Sequence, residues 1–535
     1  MIPALLVFVY LGIVLYIGIF AFRRGASTGE DYFLASRGLK PLVFLLTMFG
    51  SNMTAFAILG SSGLAYRRGI GVYGLMASSS GLIIPLSMFF IGTRLWQVGK
   101  RFGHMTQVQY FRDRWESSSL GTLLFILTAA MLVPYIIIGV MGGGTTLEAI
   151  STTTGPDGKP HAFVSYEVGG AIVAIVVMGY VFFGGMRGTA WVNTFQTTLF
   201  LIFGSVAFVL IGQKLGGFHQ VMAKLGANPK TAPLLTRARI PPGEFLSYML
   251  IPFSTIMFPH IAITCFSAEK VTHFKRTVIW YPICIMAIWL PSVYLGVVGA
   301  SQFPGLKPGE TDDVLLRLLA SYTGEVTAGL LGAGIMACVM ASDSQILALC
   351  TMFTEDVFAH YGGRKRFGDR AQVWTGRAFV VGITIVAYAV ALALKHQEGI
   401  FELAIRFAFS GYAALTPVMV AALFWKRSTQ WGAWAASIWV AVTMLGLWWM
   451  NQATAGIAPP PGKPPVVAYP ALGSMFMRGT GGITFYEYLP VLPMFLGSAA
   501  LVVVVSLLTA PPSRETIERY FPSEPQVRAA PAKAA

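Results

Sequence analysis

One carboxylate stands out by its position. Asp343 lies inside GLLGAGIMACVMASDSQILALCTMFTEDVF, residues 329–358, a run apolar and long enough to cross a bilayer. An ionisable group at membrane depth costs roughly 2.5–3.5 kcal/mol or more, so it is usually retained for a job such as ion or proton handling. It could also sit at a helix break or bond a neighbouring helix. Ser342, Ser344 and Gln345 flank it, and Glu355 and Asp356 close the run. In each reading this helix faces protein or water.

A second kind of chemistry comes from interruptions. The run 41–65 is broken by Gly50, Ser51, Asn52 and Thr54, then by Gly60, Ser61, Ser62 and Gly63. The run 246–267 carries Pro252, Ser254, Thr255, Pro259 and His260. Proline removes a helix hydrogen bond and glycine eases unwinding. Backbone groups freed at membrane depth are tolerated only in a cavity or inside protein. Exposed carbonyls there favour cations, and half-helix N-termini favour anions.

These residues need a scaffold of membrane helices. The 535 residues are 55% hydrophobic and only 11% charged, with mean hydropathy +0.65, where soluble proteins carry about 25% charge. The chain is therefore expected to be an all-α polytopic membrane protein. Its net charge of +15 is spread singly through loops and marks topology, not nucleic-acid binding. Cys265, Cys284, Cys338 and Cys350 lie in apolar runs and read as packing residues. The run 2–22 lacks a basic leader and a cleavage site, so it reads as a retained helix. No P-loop or soluble catalytic module appears, so neither an enzyme nor an ATP-driven pump is expected.

About thirteen apolar stretches are long enough to span: near 2–22, 41–65, 70–96, 119–146, 164–184, 188–212, 246–267, 277–300, 325–352, 376–394, 400–425, 432–450 and 488–509. Basic residues concentrate in one set of loops, which places the N-terminus outside and the C-terminus in the cytoplasm of a cell-membrane protein. Arg67 and Arg68 break that rule; they could attract anions or snorkel. The two interrupted runs stand five helices apart, which predicts two five-helix repeats of opposite topology, with solute bound where the breaks meet. The expected organisation is 1–40 (first helix and loop), 41–212 (first repeat), 213–245 (outer loop), 246–427 (second repeat), 428–509 (two more helices with a Pro-rich outer loop) and 510–535 (a disordered tail). Glu402 and Arg406, four apart, are expected to pair.

Four stretches together resemble the sodium:solute symporter family: GYVFFGGMRGTAWVNTFQ (179–196), MFPHIAITCFSAEK (257–270), VMASDSQILALCTMFTEDVF (339–358) and FAFSGYAALTPVMVAALFWKR (407–427). The resemblance implies a LeuT-type fold with a five-plus-five inverted-repeat core. The family's central sodium site carries over to the carbonyls of Gly50, Met53 and Ala337. Its two hydroxyl positions fall on Met340 and Ala341, which have no side-chain oxygen, although a one-residue shift would bring in Ser342. Asn193 stands where the family often has Asp. Sodium wants oxygen ligands, so these departures predict weak sodium binding or none.

The implied function is secondary active transport of a small organic solute by alternating access. Solute would touch Ser51, Asn52, Thr54, Phe56, Ser254, Thr255, Phe258 and His260, with Phe407, Phe409 and Tyr412 as candidate plugs. Sodium is the family's coupling ion. Proton coupling through Asp343 or His260, or uncoupled transport, stays open, with Asp343, Ser342 and Asn193 as ion-coupling candidates. A non-transporting membrane sensor and a channel are the other classes; a sensor would want a signalling domain, and a channel a filter-like loop. No resident cofactor is expected, only a transported sodium ion. The partners are the solute and the bilayer. The scarcity of acidic groups near the breaks leans toward an anion or zwitterion, with sugars open. Nothing in the sequence sets the oligomeric state.

Overall fold

The computed structural model describes residues 2–23, 28–154, 160–395, 400–459, 465–479 and 481–522. Among the described residues ten helices are long and apolar enough to span a membrane, or up to twelve if each of two bent pairs is one span. The bent pairs are Pro41–Asn52 with Phe56–Arg68, at 58°, and Pro242–Met257 with Pro259–Ser267, at 50°. They are the two interrupted runs of the sequence.

The count falls short of the expected thirteen, and the difference centres on Tyr166–Lys214. This 49-residue helix contains Gly185 at φ 51°, ψ −150°. A Cβ at Gly188 would lie 3.6 Å from the Tyr180 carbonyl oxygen, whereas eight residues of straight helix would separate them by about 12 Å. The chain folds back at Gly185, and both limbs pack on Gly18 of Ile2–Phe22.

Glu325–Ala359 is also interrupted. Its first helix ends at Met340 and the next starts at Asp343, so Ala341 and Ser342 form a turn in mid-span. The π-helical turn Phe56–Gly60 starts the second half of the first broken span, and another, Ile405–Phe409, lies within Ile400–Phe424. Such turns cluster at functional positions.

Two expectations change, and one loop gains a small sheet. The tail, expected to be disordered, forms the helix Arg514–Tyr520, capped by Ser513, and residues 523–535 lie outside the described residues. Tyr520 is buried against Phe102 and Tyr110, ring packing that the Pro/Ala composition did not suggest. The loop after Gln430–Ala453 holds a three-stranded antiparallel sheet of Val466–Val467, Phe476–Gly479 and Gly482–Phe485; residues 460–464 of its Pro-rich run lie outside the described residues. Glu402 bonds not to Arg406 but to Arg67, 2.7 Å away, while Arg406 donates to the Gly481 carbonyl at 2.9 Å. A partner brought in by the fold displaces the local i,i+4 pairing.

Candidate functional site

The first break lies at Met53–Ala55 and exposes backbone that a helix would satisfy. Ser51 O accepts from Gln345 Nε2 at 2.7 Å, Asn52 O from the Tyr135 hydroxyl at 2.6 Å, and Met53 O from the Cys338 thiol at 3.1 Å. The Asn52 amide donates to the Tyr281 hydroxyl at 2.7 Å. Thr54 Oγ1 is buried without a partner.

The second break is one residue wide. Phe258 has φ −60°, ψ 127°, and Pro259 opens the next helix where an N–H would be unpaired anyway. Ser254 and Thr255 serve it through their carbonyls, which accept the Phe258 N–H at 3.0 and 3.3 Å. His260 follows, buried, with Nε2 3.3 Å from Gln345 Nε2 and Nδ1 unpartnered.

Between the breaks the rings converge. Phe56 meets Phe409 edge-on at 4.8 Å, Phe258 meets Tyr412 at 4.9 Å, and Tyr135 lies 5.3 Å from both Phe258 and Phe409. The Tyr412 hydroxyl donates to the Thr128 carbonyl. Phe407, also expected as a plug, stands outside this cluster with Arg406 over its ring.

Beside the first break lies a buried polar cluster. Asp343 Oδ1 accepts from Asn193 Nδ2 at 2.9 Å and from Ser344 Oγ at 3.1 Å. Asp343 Oδ2, Asn193 Oδ1, Gln196 Oε1 and the Tyr180 hydroxyl have no hydrogen-bond partner, and the Tyr180 hydroxyl faces Asp343 and Gln196. A Cβ at Gly50 would lie 3.5 Å from Asn193 Oδ1 and collide with Thr197 Oγ1, so glycine lets the first broken span approach this cluster closely. Ser342 does not join it: its hydroxyl lies against Gly139. Met340 and Ala341 are buried and Ala337 lies one turn earlier. Among the described residues no three His, Cys, Asp or Glu side chains group to hold a metal ion. A cation here would instead be held by mixed oxygens, which suit a hard ion.

Two seals flank the cluster. On one face Arg67 pairs with Glu402, and Arg68 reaches both oxygens of Glu244 at 2.5 and 2.6 Å. Asp312, buried beside Gly63, accepts the Ile400 N–H at 2.8 Å and leaves Oδ1 unpartnered. Burial pushes its carboxyl up to about 7, against the pull of Arg67. On the other face the seal is mainly backbone: Leu39 N–H donates to Ser267 O at 3.1 Å and Glu269 N–H to Leu39 O at 3.2 Å, with Lys40 paired to Glu269 at 2.9 Å. Nearby, a cavity of about 420 Å³ is lined by Arg37, Lys100, Glu355, Arg364 and Gln372, among others.

Tyr135, Tyr281, Cys338 and Asp312 belong to the site without having been expected from the sequence. The signal for Tyr135 was a tyrosine in an apolar helix, whose hydroxyl needs a partner once buried. Cys338 gave none, since a buried thiol reads as a small apolar side chain.

The model of the sodium:solute symporter family matches residues 32–439. The chain belongs to the sodium:solute symporter family. It is 25% identical over 529 residues to the osmoregulated proline transporter OpuE of Bacillus subtilis (strain 168), covering 96% of each chain. It is 25% identical to the sodium/pantothenate symporter of Haemophilus influenzae, covering 82% of this chain and 90% of the relative. In fold it is similar to a Na+-coupled sialic acid symporter in a substrate-bound outward-open state, at TM-score 0.71 and 15% identity, covering 96% of this chain and 99% of that one. The fold is therefore LeuT-type, and this family member is a secondary active solute:cation symporter.

Proposed function

We propose that this symporter carries a small solute with an apolar body and a carboxylate, driven by a sodium ion held at Asp343, Asn193 and Ser344. The observation that carries the ion is the set of unpartnered buried oxygens around Asp343. A carboxylate buried without a basic partner is costly unless something neutralises it. A sodium ion would neutralise it and complete the oxygens of Asn193, Tyr180 and Gln196. Although Asn193 brings no charge, Asp343 on the facing helix restores it.

The solute reading rests on the ring cluster. Phe56, Tyr135, Phe258, Phe409 and Tyr412 suit an apolar body, while Thr54 Oγ1 and His260 Nδ1 are buried and unsatisfied beside them. The helix Pro259–Ser267 starts here, and its N-terminus favours an anionic group. Proline and pantothenate, for which relatives are named, are both carboxylates. With the N-terminus outside, the Arg67–Glu402 seal is the outer gate and the Leu39–Ser267 seal the inner one.

The test is uptake of radiolabelled L-proline and pantothenate into proteoliposomes under a sodium gradient, a proton gradient or neither. Accumulation only with sodium is expected. Proton-driven accumulation would reassign Asp343 to a proton. No uptake of either solute under any gradient would sink the substrate class.

A further inference from the structure

The three carbonyls Ser51, Asn52 and Met53 form a continuous row at the end of Pro41–Asn52. A helix end leaves such groups without internal partners, and at membrane depth water cannot supply them. Each is met by a side-chain donor from another span. Tyr135 comes from Ser118–Ser151; Cys338 and Gln345 come from Glu325–Ala359, on either side of its mid-span turn. Cys338 also reaches Thr54 O at 3.3 Å. All three donors are buried and all are neutral.

We infer that Tyr135, Cys338 and Gln345 are positioning residues that clamp the first break with neutral hydrogen bonds, so that this carbonyl row takes no cation. The break is held to two other spans by donors of the protein itself. The Cys338 thiol already donates to Met53 O, the oxygen that a cation bridging the two spans would use, and leaves it one free lone pair. Gln345 spreads the clamp further, since its amide also lies beside His260 of the second break. The coupling ion is thereby left to the Asp343 cluster; this deepens the reading above and can be tested without a transported solute.

The experiment uses the full chain in detergent and reads two quantities: hydrogen–deuterium exchange of the segment 50–57, and the half-saturation for thermal stabilisation by sodium chloride. Cys338→Ala and Gln345→Leu are expected to raise exchange in the segment about tenfold, the scale of one net hydrogen bond. Cys338→Ser, which keeps a donor, should exchange like the parent. Gln107→Leu, which removes a buried amide at the second break, should leave the segment unchanged and controls for general loosening. The sodium half-saturation should be the same in the parent, Cys338→Ala and Cys338→Ser. The inference is overturned by unchanged exchange in Cys338→Ala and Gln345→Leu, by an equal rise in Gln107→Leu, or by a tenfold shift of sodium half-saturation in Cys338→Ala. Failure of the proposed ion site looks different: Asp343→Asn would keep its sodium stabilisation while the exchange pattern held.

Discussion

The two breaks solve the same problem by different means. The first, rich in glycine and polar residues, has no proline and leaves a row of carbonyls that other spans must satisfy. The second is set by Phe258 and Pro259, needs one extended residue, and sends a single carbonyl, Met257 O, to Gln107 at 3.0 Å. A break made by proline is local. A break made by glycine and polar residues depends on its surroundings, and can therefore be biased by what binds beside it.

Substitutions on the two sides put this contrast at risk. The largest effect belongs to the second half of the first broken span, where Gly63 packs on Asp312. Its carboxyl stands at about 7 in the folded protein against an ordinary 3.8, mainly through burial. A raised acid pKa means that the stability this group contributes is fully present below about pH 4 and is lost as pH rises through 7. Thermal stability should fall across that window by on the order of a few kcal/mol. Asp312→Asn should flatten the profile; an unchanged slope would show that another group sets it.

Next comes crowding at the first break. A Cβ at Gly142 would sit 2.8 Å from the Ala55 Cβ, so Gly142→Val should cost about 1–3 kcal/mol through overpacking, read as a lower melting temperature. Gln345→Leu leaves Ser51 O buried and unpaired, with a similar cost of about 1–3 kcal/mol. Its counterpart at the second break, Gln107→Leu, should cost about 1 kcal/mol, because its amide, on the short helix Gln107–Arg114, meets Met257 O alone, whereas the Gln345 amide also lies beside His260. Smallest is Pro259→Ala: position N1 tolerates either residue, and the change should stay within ~1 kcal/mol. If Gln107→Leu proved costlier than Gln345→Leu, the contrast would be reversed.

Much of this was legible in residue order. Gly50 to Thr54 and Pro252 to His260 announced both breaks, because those residue types act on their own backbone. Asp343 announced itself by charge in an apolar run. Partners over long sequence distances were less visible. That Asn193 would meet Asp343 depends on how Tyr166–Lys214 crosses Glu325–Ala359, and that Glu402 would choose Arg67 over Arg406 depends on the first broken span reaching the same face. Ser342 turned toward Gly139 because the helix breaks at Ala341, which no local pattern marked. The ordered tail was hidden for a similar reason: Tyr520 is buried by Phe102 and Tyr110, which lie some four hundred positions earlier in the sequence.

If a cation at Asp343 drives solute across the membrane, neutralising that carboxylate should uncouple the two. The decisive comparison sets the parent against Asp343→Asn in proteoliposomes, following radiolabelled L-proline under an inward sodium gradient. Accumulation above equilibrium is predicted in the parent and only slow equilibration in the variant, with at least a tenfold loss of initial rate, equivalent to ~1.4 kcal/mol. Accumulation by Asp343→Asn at the parental rate and level would contradict a coupling role for this carboxylate.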